Sequence, residues 1–209
     1  MKAMTMKLTH VTKRYGSTTA LEDVTLTIPD DQLTVLFGPS GSGKTTIVRL
    51  LAGLETPDIG QVEKPDSFGI AAQNAPCLLH ATTLENILYG LDARTCSRES
   101  RLLQGLDAAS LCGCTPFLHQ KAGTLSGGQK QRMILARAII TQPDVLLLDE
   151  IFANLDSQAI EQLVTMLKTQ CSTILLVTHE SQLAAQADTI IHIHHGQIVP
   201  QKNPDKPDQ

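Results

Sequence analysis

The nine residues Gly38-Pro39-Ser40-Gly41-Ser42-Gly43-Lys44-Thr45-Thr46 carry the clearest chemistry in the chain, because they fit G-x-x-x-x-G-K-[ST]. The pattern follows the apolar run Leu33-Thr34-Val35-Leu36-Phe37 and precedes Ile47-Val48-Arg49-Leu50-Leu51, so strand, loop and helix stand in the order that gives it mechanical meaning. Glycines let such a loop wrap until successive backbone N–H groups and the helix N-terminus face one anion. Lys44 then supplies a mobile cation for the β- and γ-phosphates of a nucleotide, and the Thr45 hydroxyl is placed to ligate Mg²⁺.

Further polar residues stand at strand ends and helix starts. Leu125-Ser126-Gly127-Gly128-Gln129 opens a helix predicted over 129–140 with Ser126 near its N-cap, and again presents N–H groups to an anion. One P-loop already takes the nucleotide of this subunit, so a second phosphate-facing helix end asks for a second nucleotide; by itself it reads equally as a Ser-capped helix after a Gly turn. Asp149-Glu150 ends the apolar run Val145-Leu146-Leu147-Leu148, and two acids at the carboxyl end of a buried strand can divide their work, one near Mg²⁺ and one toward water. His179 follows the buried run 173–177, where an imidazole can hydrogen-bond a γ-phosphate. Tyr15, upstream of the P-loop, can stack on an adenine ring. Gln73 closes a short strand over 68–72. Each of these last two, taken alone, has an ordinary structural explanation.

The elements that must position these residues follow from periodicity and punctuation. Strands are expected over 7–15 and around the alternation Val24, Leu26, Ile28, with Pro29-Asp30-Asp31 turning the chain toward the P-loop strand, and the P-loop helix is ended by Gly53. Residues 55–67 read as polar turns. Thr82-Thr83-Leu84-Glu85 fits a capping box before a helix over 84–91, and a second helical pattern runs over 97–111 around Leu102, Leu103 and Leu106, so 73–125 reads as an inserted helical lobe. Asn154-Leu155-Asp156 caps a helix whose apolar face is Ile160, Leu163, Val164 and Leu167. A short helix is expected over 180–187, then a hairpin of 189–194 and 197–199 around Gly196. His192, His194 and His195 read as strand and turn residues rather than a metal cluster. The proline-rich, charged tail 200–209 reads as disordered.

With 209 residues the chain suffices for one domain with a substantial core, and a formal charge of -4 provides no basic field for nucleic acid. Cys77, Cys96, Cys112, Cys114 and Cys171 are odd in number and lack paired C-x-x-C spacing, so they read as free thiols in a reducing compartment. Residues 1–10 contain no apolar h-region, and no run of 18 apolar residues occurs. The expectation is a soluble chain that reaches a membrane only through other subunits.

In this order, an aromatic residue (Tyr15), a P-loop, a glutamine (Gln73), LSGGQ, an apolar strand ending in Asp-Glu, the segment Asn154-Leu155-Asp156 and a histidine (His179), the motifs resemble those of the ATP-binding cassette (ABC) ATPase family over about residues 4–199. The resemblance implies an α/β fold: a P-loop NTPase core with a mixed, largely parallel sheet, an antiparallel β subdomain and an inserted α-helical subdomain at about 74–142, all within one domain over 1–199. It implies ATP and Mg²⁺ as ligands and a head-to-tail dimer, with itself or a paralogous ATPase, in which each ATP lies between one P-loop and the other subunit's signature. In that scheme Tyr15, residues 38–46, Gln73 and Ser126-Gly127-Gly128-Gln129 bind nucleotide; Thr45, Gln73 and Asp149 serve the metal; Glu150 polarises water; and Lys44 and His179 contact the γ-phosphate. Ile151 stands where the family often has proline, Asn154 where a small residue is usual, and the short 60–73 segment implies a β subdomain lacking a hairpin. The implied function is the energising ATPase of a membrane transporter, a bacterial small-solute importer, at the cytoplasmic face of the inner membrane. Its partners are integral-membrane permease subunits and an extracytoplasmic solute-binding protein, with no nucleic acid. A lipid, lipoprotein or drug exporter is the alternative within transport; a non-transport ABC protein acting on ribosomes or DNA is the alternative outside it.

Overall fold

The computed structural model describes residues 6–92 and 97–199; Cys96, the extreme amino terminus and the tail expected to be disordered lie outside the described residues. In chain order the elements are β1 (Met6–Tyr15), β2 (Thr18–Ile28), β3 (Leu33–Phe37), α1 (Lys44–Leu51), β4 (Ile59–Glu63), β5 (Gly69–Ala72), α2 (Thr83–Leu88), α3 (Arg98–Leu111), α4 (Gly127–Ile139), β6 (Val145–Asp149), α5 (Ser157–Gln170), β7 (Thr173–Thr178), α6 (Ser181–Ala184), β8 (Thr189–His194) and β9 (Gln197–Val199). They fall into two compact units, Met1–Asp66 with Leu175–Gln209, and Ser67–Ile174.

In the first unit β1 pairs antiparallel with β2 on one side and β4 on the other, aligning Leu8 with Leu26 and with Val62. Alternation places Met6, Leu8, Val24, Leu26 and Ile28 in the core, each side chain removed from water contributing on the order of 1.5–3 kcal/mol. β4 overturns the reading of 55–67 as turns. It is an edge strand whose only apolar residues are Ile59 and Val62, and Ile59 is exposed, so no alternating pattern announces it. The antiparallel sheet of this unit thus has three strands. β3, buried on both faces, pairs in parallel with β8, which turns through His195 and Gly196 into antiparallel β9. α1 presents Ile47, Val48, Leu50 and Leu51 to the core and Arg49 to solvent.

The second unit joins β5 and β6 as parallel neighbours, with Ala72 opposite Asp149. α4 packs on β5 and on α2 and α3, burying Met133, Ile134, Leu135, Ala136 and Ile139. The capping box expected from Thr82 and Glu85 forms, and Ser97 caps α3. α2 and α6 are shorter than the windows read from sequence. Past Leu88 the amides of Gly90 and Leu91 bond three residues back, to Ile87 and Leu88, and past Ala184 those of Gln186 and Ala187 do the same, so both helices end in tightened turns. Among the described residues no helix is long and apolar enough to cross a membrane.

The four described cysteines are free. Burial pushes the Cys112 thiol well up, the Cys114 thiol up to about 12 and the Cys171 thiol to about 11. These thiols are inert hydrophobes.

Candidate functional site

The loop between β3 and α1 is built by glycine geometry. Gly43, the N-cap of α1, has φ 102°, and a Cβ there would stand 2.6 Å from the Ala20 carbonyl oxygen and 2.8 Å from Leu21 Cδ2. A Cβ on Gly38 would meet the Ile193 carbonyl oxygen at 2.2 Å. The loop therefore nests against β2 and β8 at positions where only hydrogen fits. Lys44 is buried, and its ammonium donates to the carbonyls of Gly38 and Pro39, at 2.8 Å each. Its charge is thereby bent back across its own loop. Ser42 accepts the Gly196 amide at its carbonyl, while its buried Oγ has no hydrogen-bond partner. Thr45 is exposed and Thr46 buried.

These features fit a polyphosphate. The first amides of a helix have no intrahelical acceptor, the loop holds one lysine charge at 4% exposure, and the cradle would be filled by side chains at Gly38 or Gly43. Tyr15 ends β1 in the same unit, its hydroxyl donating to the Glu55 carboxylate. His179 directly follows β7 and is exposed, with the next amide, that of Glu180, tied back to Thr178 Oγ1 at 3.0 Å.

In the second unit the structure brings Gln73, Asp149 and Glu150 to the carboxyl ends of adjoining parallel strands. The Gln73 amide donates to the Asp149 carbonyl at 3.0 Å, extending the β5–β6 ladder by one bond. Asp149 is 9% exposed. Glu150 is half-buried and has φ 50°, a left-handed conformation that costs a non-glycine residue free energy and recurs at functional positions. Nothing in its local sequence signals this. The buried pair Ile151 and Phe152 follows, anchoring the turn that leads to Asp156, the N-cap of α5.

Ser126 caps α4 in a reciprocal box: the Gln129 amide donates to its Oγ at 3.3 Å, and its own amide donates to Gln129 Oε1 at 2.9 Å. The signature serine and glutamine thus already organise their own helix start. Against that start lies the 154–155 segment. A Cβ on Gly128 would stand 3.0 Å from the Asn154 carbonyl oxygen and 3.1 Å from Leu155 Cδ2, whereas one on Gly127 would meet only the Asn154 side chain, at 3.4 Å. Gln131, which sequence reasoning passed over, completes the junction. It is buried on α4, its Oε1 accepts the Asn154 amide at 3.2 Å, and its Nε2 has no hydrogen-bond partner. Its signal in the sequence is slight: a glutamine two residues past the motif, three and four positions before the apolar Ile134 and Leu135.

Thr45 in the first unit, and Gln73 with Asp149 in the second, carry the hard oxygen donors that a Mg²⁺ ion prefers. Among the described residues no group of three His, Cys, Asp or Glu side chains forms a cluster able to hold a metal. His192 packs edge-on against Phe37, with centroids 5.6 Å apart, and the rings of His194 and His195 stack edge-on at 4.2 Å.

Comparison with known proteins places these elements in context. Residues 21–153 match the model of the family described as ABC transporter. The chain is 36% identical to the sulfate/thiosulfate import ATP-binding protein of Synechococcus elongatus, over 94% of this chain and 62% of that protein. It is 37% identical to the Fe(3+) ions import ATP-binding protein of Escherichia coli O157:H7, over 93% of this chain and 60% of that protein. The chain thus spans about three fifths of the length of such curated relatives. Among solved structures it is similar to a dimeric bacterial ABC transporter cassette, with a TM-score of 0.85 and 28% identity, covering 93% of this chain and 97% of that one. The same cassette in a post-hydrolysis state bound to ADP and Pi aligns equally well.

Proposed function

The chain belongs to the ABC transporter family, and from that premise we infer that it is the ATP-binding, ATP-hydrolysing subunit of a bacterial small-solute importer. The observation that carries this reading is that one chain holds both a glycine-cradled lysine loop and an Asp-Glu pair with Gln73 at two hydrogen-bonded strand ends. The relatives named as import ATP-binding proteins support the direction of transport. The solute is selected by other subunits.

In this reading residues 1–199 work as one ATPase domain with a helical subdomain at about 74–142. The loop 38–46 and the first turn of α1 hold the phosphates, with Lys44 swinging from its two carbonyls to phosphate oxygens. Tyr15 receives the adenine. Thr45, Gln73 and Asp149 supply oxygens to Mg²⁺, which when bound offsets phosphate charge. Glu150 orients water and accepts its proton, and His179 donates to the γ-phosphate. Ser126, Gly127, Gly128 and Gln129 face the nucleotide of a second subunit in a head-to-tail dimer, a reading supported by the dimeric cassettes of similar fold. Permease subunits hold the protein at the cytoplasmic face of the inner membrane, docking near Leu78 and Leu79, which are about half exposed. An extracytoplasmic solute-binding protein delivers the solute.

The test is sedimentation of Glu150→Gln with saturating ATP or ADP, alongside its hydrolysis rate. Dimer with ATP, monomer with ADP and turnover slowed on the order of 10²–10⁴-fold are expected. A monomer in both nucleotides, or near-normal turnover, contradicts the shared-site ATPase.

A further inference from the structure

Tyr15 is more tightly held than a strand-end tyrosine needs to be. The residue is 44% exposed, yet its hydroxyl donates to one oxygen of Glu55, whose other oxygen accepts from Arg49 Nη1 at 3.2 Å. Lys13 Nζ lies 5.5 Å from the ring centroid and is itself tied to the Thr56 carbonyl at 2.8 Å and to Asp58 at 3.7 Å. The ring is thus restrained by groups on α1, on the segment just after it and on its own strand. Desolvation first, then the Glu55 hydrogen bond, push the phenol above its ordinary range.

We propose that Glu55, oriented by Arg49, is a positioning residue that sets the Tyr15 ring for stacking on the base of the nucleotide. The inference rests on the nucleotide-binding reading above and adds to it a residue that carries no motif. Helix α1 begins in the phosphate loop and ends close to Glu55, so a single rigid element fixes both the phosphate cradle and, through Arg49 and Glu55, the ring. A base that stacks on a ring already in place loses less conformational freedom than one that must order it. Glu55 touches neither phosphate nor water in this scheme; it acts through Tyr15.

The sequence makes the test clean, because the chain has no tryptophan and only two tyrosines, Tyr15 and Tyr89. In a Tyr89→Phe background, phenolate absorbance follows Tyr15 alone. Glu55→Ala should lower the Tyr15 titration midpoint and weaken ATP binding on the order of 2–10-fold, the range an aromatic stack adds beyond area burial. Inorganic tripolyphosphate, which has no base, should bind unchanged. Glu55→Gln, which keeps an acceptor, should retain most of the ATP affinity, and Tyr15→Phe should match Glu55→Ala, with the double variant no weaker than either. Wild-type ATP affinity in Glu55→Ala, equal losses for ATP and tripolyphosphate, or Glu55→Gln as weak as Glu55→Ala would each overturn the proposal. A parent chain that binds neither ligand refutes the nucleotide reading itself and this inference with it; the titration still shows separately whether the Tyr15–Glu55 bond forms.

Discussion

Gly127 and Gly128 are adjacent, share a helix start and look interchangeable in sequence, yet their replacement by alanine should differ clearly in effect. Both sit in the first turn of α4 without a left-handed φ, so alanine gains helix propensity at either site, up to about 1 kcal/mol. At Gly127 the new methyl meets only the Asn154 side chain, at 3.4 Å, and that side chain can rotate. At Gly128 it meets the Asn154 carbonyl oxygen at 3.0 Å and Leu155 Cδ2 at 3.1 Å. The backbone there is fixed by the Gln131 hydrogen bond to the Asn154 amide and by the buried pair Ile151 and Phe152, so overpacking of roughly 1–3 kcal/mol is expected. The difference between the variants is then about 1–3 kcal/mol, or roughly 2–10 °C in melting temperature for a chain of this size. Thermal unfolding by circular dichroism without nucleotide, at one scan rate, measures it free of any effect on a partner's site. Midpoints within about 1 °C of each other, or Gly127→Ala the lower of the two, would refute the packing argument.

Further expectations follow from the same geometry. Lys44→Ala should weaken ATP binding by at least about tenfold in calorimetry, since a charge-assisted bond contributes about 1.5–3 kcal/mol; unchanged affinity would count against the loop's role. Gln131→Leu removes the acceptor of the Asn154 amide, so hydrogen exchange at that amide should quicken by roughly tenfold, about 1.4 kcal/mol of lost protection; a wild-type rate would show that the bond does not restrain the segment. Among the described cysteines, Cys77, only half-buried, should alkylate first at mild alkaline pH, with Cys112, Cys114 and Cys171 reacting only at the rate of unfolding. The folded thiols of Cys114 and Cys171 titrate near 12 and 11, above the ordinary value of 9.0, so the folded state holds these protons more tightly. Their stabilising contribution is full below the unfolded value and is lost as pH rises from about 9 toward 11 and 12. Urea midpoints across that window should fall less steeply in Cys114→Ala than in the parent, and equal slopes would reject the assignment.

Features governed by a dozen neighbouring residues are legible along the chain. The strand, glycine loop and helix around Lys44, the capping box at Thr82, the N-cap at Ser126, the buried strands ending at Asp149 and Thr178, and the β8–β9 hairpin are each set by local periodicity or by a side chain reaching its own backbone three positions away. Tertiary structure alone decided the rest. β4 is a strand only because β1 offers it a partner; its own residues are too polar to alternate. Glu150 takes its left-handed turn between a buried strand end and the anchored pair Ile151 and Phe152, although its neighbours carry no turn signal. Gln131 meets Asn154 across 23 residues and Tyr15 meets Glu55 across 40, so no spacing rule marks either pair. Hydrogen bonds between residues that far apart form only after the chain has closed the intervening loop, and the position of each partner is then set by packing of whole elements rather than by the identity of its neighbours.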